Sequence, residues 1–249
     1  MNDLRFALRT LRKSPGFTSA AVLVLALGIG ANTAMFTVVD SVLLRPLPYK
    51  HPSRLYSLVA AHVNGPGDLR FTTFSDREYL DYERQSNVFG SMAAYTMHPL
   101  NLTGAGEPSQ VPAWEVSASF FSTLGVDAQL GRTFRPEEDR PAHANVVVLS
   151  DRLWRARFDA DPSILGRTIT LDAVPRTVIG VMPRNFDFFP GPSELWVPAV
   201  LDPARHTLSS RHVVARLKPG VAAAAAEAEI ESIARHRDES VSSTERSRT

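Results

Sequence analysis

Asn145-Val-Val-Val-Leu-Ser-Asp-Arg-Leu-Trp-Arg-Ala-Arg-Phe158 decides the architecture in fourteen residues. The run Val146 to Leu149 is β-branched and uncharged, as a strand buried on both faces must be. Ser150 can accept the first loose amide of a helix. Asp151 to Phe158 then places Leu153, Trp154 and Phe158 on one face. A strand feeding directly into a helix is the unit of a mixed α/β layer, so the chain reads as α+β.

The same signals recur on both sides. Arg54 to Ala61 reads as a strand, and Ser75 with Glu78 spells a capping box for a helix Asp76 to Gln85. Val88 to Met97 and Gln110 to Val116 return as strands, and Ser119 to Gly125 is a short helix closed by glycine. Downstream, Arg167 to Leu171 and Arg176 to Val181 form a hairpin around Asp172 to Pro175. Leu195 to Val197 reads as an edge strand stopped by Pro198, and Arg211 to Leu217 as a further strand. Val221 to Arg235 is an alanine-rich helix, and 237–249, with Val241 as its one apolar residue, is expected to be disordered.

The N-terminal segment stands apart. Ser14 to Val39 carries no charge over 26 residues. As a helix it would rise about 39 Å, more than the roughly 30 Å hydrocarbon core. We therefore expect a transmembrane helix over 14–42. Arg5, Arg9, Arg12 and Lys13 precede it, which predicts a cytoplasmic N-terminus, a single pass through the inner membrane and an extracytoplasmic bulk. A cleaved signal peptide fits less well, because apolar sequence continues past Ala31-Asn-Thr-Ala34 through Val39. A buried soluble helix is the third alternative. Leu4, Leu8 and Leu11 beside the arginines make 1–13 a cytoplasmic amphipathic segment. Ala26, Gly30 and Ala34 share one small-residue ridge on which another helix could pack.

Charge and composition exclude several functions. The chain has 27 basic and 26 acidic residues, a balance unsuited to a dedicated nucleic-acid binder. With no cysteine there is no disulfide, thiolate zinc site or thiol nucleophile. No Walker A loop, His-Glu-x-x-His or Gly-x-Ser-x-Gly occurs, and the half fingerprint Gly28-Ile-Gly30 has no strand before it. His206 and His212 could meet across a loop, but the seven histidines are scattered. Glu137-Glu-Asp139 reads as a solvated acidic loop, and Asn101-Leu-Thr103 as a bare glycosylation match. Trp114, Trp154 and Trp196 are either core packing or a ligand shelf. The residues nominate no catalytic group, metal ligand or cofactor.

Taken in order, the motifs resemble one family. Asp3-Leu-Arg-Phe-Ala-Leu-Arg-Thr-Leu-Arg-Lys-Ser-Pro-Gly-Phe-Thr18 opens the set, followed by Leu27-Gly-Ile-Gly-Ala-Asn-Thr-Ala34 and Val42-Leu-Leu-Arg-Pro-Leu-Pro48. Leu130-Gly-Arg132, Val146 to Ser150, Leu165-Gly-Arg167, Thr177-Val-Ile-Gly-Val-Met-Pro183 and Arg216-Leu-Lys-Pro-Gly220 continue it. The set resembles MacB/FtsX-type ABC transporter permeases, in the orphan branch without a fused ATPase. The resemblance implies a MacB-like periplasmic core domain over 50–236, with a porter-like part and an inserted β-rich part. It also implies dimerisation, contact with other permease helices and membrane lipid, and a separate cytoplasmic ATPase. Mechanical relay is then the work, with no catalytic residue and no cofactor. Complete members add a last strand and three further spans, which this sequence does not carry. A membrane-anchored extracytoplasmic binding module is the alternative.

Overall fold

Helix α2, Asp76–Gln85, begins where its sequence signal lies. Glu78 N–H donates to Ser75 Oγ at 3.2 Å, and Ser75 N–H donates to Glu78 Oε2 at 2.7 Å. Two of the four loose amides of the first turn are thereby satisfied. In this computed structural model the described residues are 15–39, 49–63, 69–184, 186, 188, 193–204 and 210–246. The chain divides into two units, Met1–Leu47 and Pro48–Thr249.

The first unit contains helix α1, Pro15–Val39, opened by a proline whose absent N–H is harmless in the first turn. Val22 to Leu27, Ile29, Met35 and Phe36 have exposed apolar side chains. The expected transmembrane helix over 14–42 is corrected: among the described residues, no helix is long and apolar enough to cross a membrane. Ser19 and Asn32 bracket the apolar run Ala20–Ala31. Twelve helical residues rise about 18 Å, short of a core of roughly 30 Å. The single-pass inner-membrane topology that rested on that helix falls with it. The amphipathic segment 1–13 lies outside the described residues.

The second unit is built on an eleven-stranded mixed sheet. Its strands are β1 (Leu55–Leu58), β4 (Phe89–Met97), β5 (Leu100–Thr103), β6 (Ser109–Val111), β7 (Ala113–Val116), β8 (Leu130–Gly131), β9 (Val146–Leu149), β10 (Thr168–Leu171), β11 (Val174–Val181), β12 (Leu195–Pro198) and β13 (His212–Leu217). Their order is β1-β13-β4-β7-β12-β9-β11-β10-β5-β6, with β8 on β11. A separate hairpin pairs β2 (Ala60–Val63) with β3 (Leu69–Thr72). Strand β13 lies between β1 and β4 and runs antiparallel to both, so β1, α2 and β4 form a split βαβ unit.

Alternation along the strands sorts the core into layers. Met92, Ala94, Val213 and Ala215 face α2 and α5 (Ala223–Arg246), meeting Tyr79, Tyr82, Ala226 and Ile233. On the same side of the sheet, Leu149, Leu195 and Val197 receive Leu153, Trp154 and Phe158 of α4 (Asp151–Phe158). The opposite side carries Trp114, Val116, Val148, Trp196 and Val214 under Phe120, Phe121 and Leu124 of α3 (Phe120–Leu124), with Phe186 and Phe188 added.

Two expectations change. Strand β12 is not an edge: it lies between β7 and β9, and all four of its residues are buried. Pro198 is tolerated because only Leu195 and Trp196 pair with β9. The helix expected to stop at Arg235 runs to Arg246, over most of the stretch expected to be disordered. No glycine or proline between Val221 and Thr249 interrupts it.

Candidate functional site

The segment leading into β1 is held at one corner of the sheet. His51 adopts a left-handed conformation, φ 48°, and Pro52–Arg54 makes a single 3-10 turn behind it. Arg54 then reaches across β13. Its Nε donates to the Leu217 carbonyl at 2.9 Å, and its Nη2 bonds the same oxygen. Arg216 reciprocates, with Nε donating to the Thr123 carbonyl at 2.7 Å and Nη1 to the His51 carbonyl at 3.2 Å. Carbonyls at strand and helix ends lack partners, and the multiple donors of a guanidinium suit them. Burial lowers the Arg216 pKa, and the neighbouring Arg54 charge lowers it further. Gly125 closes α3 at φ 68°, and a Cβ there would sit 2.8 Å from Lys50 Cβ.

The same corner fixes α5. Glu229 accepts from Ser86 Oγ at 2.7 Å, Asn87 N–H at 2.9 Å and Val88 N–H at 3.1 Å. Desolvation opposes ionisation of this carboxyl, but the hydrogen bonds outweigh it and hold its pKa below the usual range. Lys218 Nζ adds a bond to the Asn87 carbonyl at 2.6 Å. The incoming segment, the end of β13, the α2–β4 turn and α5 are thus joined by side-chain bonds to backbone groups.

A buried ion triad ties the sheet to α2. Arg211 Nε donates to Asp76 Oδ1 at 2.9 Å, and its Nη1 to Glu115 Oε2 at 3.0 Å. Asp76 is fully buried and Arg211 is 4% exposed. Burial alone would depress the Arg211 pKa, but the bonds to the two carboxylates hold it above the ordinary value. His98 Nδ1 lies 3.8 Å from Glu115 Oε1.

Glu83, Ser86, Phe89, Gly90, Ser91, Met92 and Ser119 line a cleft of about 240 Å³. Tyr79 Oη lies 2.8 Å from Glu83 Oε1 and 3.1 Å from the Met92 carbonyl, to which Ser119 Oγ also donates at 2.7 Å. The acidic run expected to be solvated is partly folded inward here. Glu138 is buried against Arg132, with bonds of 2.7 and 3.1 Å, and half-buried Asp139 accepts from Ala118 N–H at 2.8 Å. Sequence alone could not show this, because the partners lie in other elements.

The other sequence candidates separate. Ala26 and Gly30 stand exposed on α1, and a Cβ on Gly30 would meet nothing within 4 Å; the side chain of Ala34 is outside the described set. Trp114 and Trp196 are core residues at 2% and 0% exposure, and Trp154 donates from Nε1 to the Asp161 carbonyl at 2.9 Å, so they form no open shelf. His212 stacks on Tyr95 at 5.3 Å, and His206 is outside the described residues. Asn101 Nδ2 donates to Asp172 Oδ1 at 2.6 Å. Among the described residues, no group of three His, Asp or Glu could hold a metal ion. In the sequence Arg54 marks only a strand start and Arg216 only part of a motif. Their roles depend on carbonyls that only the folded sheet brings near.

Comparison with known proteins matches residues 18–233 to the MacB-like periplasmic core domain. The macrolide export ATP-binding/permease protein MacB of Burkholderia thailandensis is 33% identical over 117 residues, 45% of this chain and 18% of that one. The chain therefore aligns with under a fifth of that relative's length. Among solved structures, the periplasmic region of MacB from Actinobacillus actinomycetemcomitans superposes with a TM-score of 0.53 at 20% identity, covering 73% of this chain and 81% of that one. A domain of a putative permease protein from Porphyromonas gingivalis gives 0.56 at 14% identity, covering 77% and 84%. At these identities the two structures speak for the fold alone.

Proposed function

The chain belongs to the family of the MacB-like periplasmic core domain, and on that premise we propose that it is the extracytoplasmic module of an ABC-type export or mechanotransmission system. In this reading it is a non-catalytic transport component, for which the match to the periplasmic core domain speaks. In this reading its work is to relay displacement between the segment before β1 and the segment after β13. The observation that carries the reading is the reciprocal arginine clasp. Arg54 holds the end of β13 while Arg216 holds the turn before β1.

The core domain in this reading is 50–236. Its partners are a second copy, other permease helices, membrane lipid and a separate cytoplasmic ATPase. The ridge of Ala26, Gly30 and Ala34 would be the close-packing face of α1. A second reading, an extracytoplasmic interaction module, is favoured by the polar cleft beside Glu83 and Ser119.

The cysteine-free sequence makes the test clean. Single variants A26C and G30C in the full chain, oxidised in the native cell envelope, should each form a disulfide with the same cysteine of a second copy. V24C on another face should not. Cross-linking at none of these positions, with a soluble protein captured by the β-sheet unit instead, would favour the second reading.

A further inference from the structure

We propose that the cleft between α2 and β4 is a binding site for a protonated alkylamine, with the Glu83 carboxylate as its counter-ion and serine oxygens as its acceptors. Such a site depends on neither reading of the chain's function and would serve either.

The hydroxyl protons around the cleft are already committed to the protein. Tyr79 Oη gives its proton to Glu83 Oε1 at 2.8 Å, and Ser86 Oγ gives its proton to Glu229 Oε2 at 2.7 Å. Ser119 Oγ donates to the Met92 carbonyl at 2.7 Å. Ser117 Oγ, which accepts from Ala94 N–H at 3.1 Å, is then the donor across the 2.9 Å to Ser119 Oγ. What these groups leave to a guest is lone pairs: Glu83 Oε2 and the oxygens of Ser86 and Ser119, with Ser91 adding a hydroxyl that can also accept. Among the described residues no cation pairs with Glu83. Arg84 bonds Asp81, and Lys218 Nζ bonds the Asn87 carbonyl. An ammonium, with three donors and no acceptor, complements that inventory, and an anion does not.

Size and lining narrow the class further. The cleft's volume of about 240 Å³ is below the roughly 300–1,000 Å³ of sites for drug-sized molecules, so the guest is one small group or one side chain. Phe89 and Met92, both buried, supply an apolar wall for methylenes. Gly90, the extra residue where the β4–β13 register shifts, brings no side chain to fill the space. A metal ion is the wrong guest, because it needs several oxygen ligands gathered around it and a single carboxylate lines the cleft.

The test is titration of the isotope-labelled full chain with n-butylammonium chloride, followed by backbone amide shifts. Shifts at Ser86, Ser91 and Ser119 should saturate at about millimolar concentration, as expected of so small a ligand. n-Butanol, with the same chain and no charge, should bind at least about tenfold more weakly, and so should butylammonium to E83Q. Glu83 is exposed, so E83Q folds as the parent does. E107Q, which removes an exposed carboxylate between β5 and β6, should bind as the parent does. Nα-acetyl-lysine methylamide separates the sources of the amine: binding at least as tight as that of butylammonium assigns a lysine side chain of a partner protein, and weaker binding assigns a free amine. No saturable shift at the cleft, equal binding of n-butanol, or undiminished binding to E83Q would each overturn the site.

Discussion

Replacing Asp76 by alanine removes one of the two carboxylates that neutralise Arg211 inside the protein. Arg211 is 4% exposed, so water cannot take the lost partner's place. Breaking a buried pair from one side typically costs about 3–5 kcal/mol, since an uncompensated charge is left behind. Glu115 still accepts from Arg211 at 3.0 Å, which sets the expected loss at the lower end, about 3 kcal/mol. That is a large share of the 5–15 kcal/mol ordinarily available to a domain. Glu115 itself is 29% exposed, so E115A should cost only about 1 kcal/mol. Removing both charges in D76A/R211M should recover part of the loss, because no buried ion then stands alone. Urea unfolding followed by tryptophan fluorescence reads all of this, since the three tryptophans are buried. A loss in D76A below about 1 kcal/mol, or one no larger than in E115A, would refute the argument that the buried triad carries its charge by mutual support.

Three further outcomes follow from the same reasoning. G180A should destabilise severely, by more than about 3 kcal/mol on the scale of overpacking strain, because the added Cβ would lie 2.1 Å from the Arg132 carbonyl; a thermal melt within a few degrees of the parent would contradict it. S75A should cost about 1 kcal/mol through loss of the cap on α2, measured by chemical unfolding. The Glu229 pKa is depressed, so its anchoring of α5 is present above the ordinary carboxylate range and lost as pH falls through its lowered value. E229Q should show weaker amide protection of Asn87 and Val88 at neutral pH and no such acid-side response.

What could be read in the sequence follows from how local each cause is. The caps Ser75 and Ser150 announce α2 and α4 correctly, because a cap bonds only three residues ahead. The glycine stop of α3 is equally local. Strand β12 reads as an edge in the sequence but is central in the fold, because four residues buried on both faces carry no alternation and Pro198 is a misleading signal at a strand end. Strand β5, Leu100–Thr103, is too short to show an alternation of its own, and its sequence matches a glycosylation pattern at Asn101. The stretch near the N-terminus lacks charge over a membrane-spanning length, but Ser19 and Asn32 limit the length of its apolar part. The functional corner was the least legible. Arg54 and Leu217 are 163 residues apart, and no periodicity links a guanidinium to a distant carbonyl.

Strands β1 and β13 are antiparallel, with Leu55 opposite Arg216, so the segment arriving at β1 and the segment leaving β13 emerge at the same end of the pair. Tension that draws those two segments apart loads the ladder as a zipper, one rung at a time from the Leu55–Arg216 end, because interstrand bonds lie perpendicular to the strands. The bonds from Arg54 to Leu217 and from Arg216 to His51 stand ahead of the first rung. The force at which the strands begin to part is therefore set by two side chains rather than by the length of the sheet, and pulling one molecule by residues 49 and 218 would find an early rupture that R54A weakens and R54A/R216A removes.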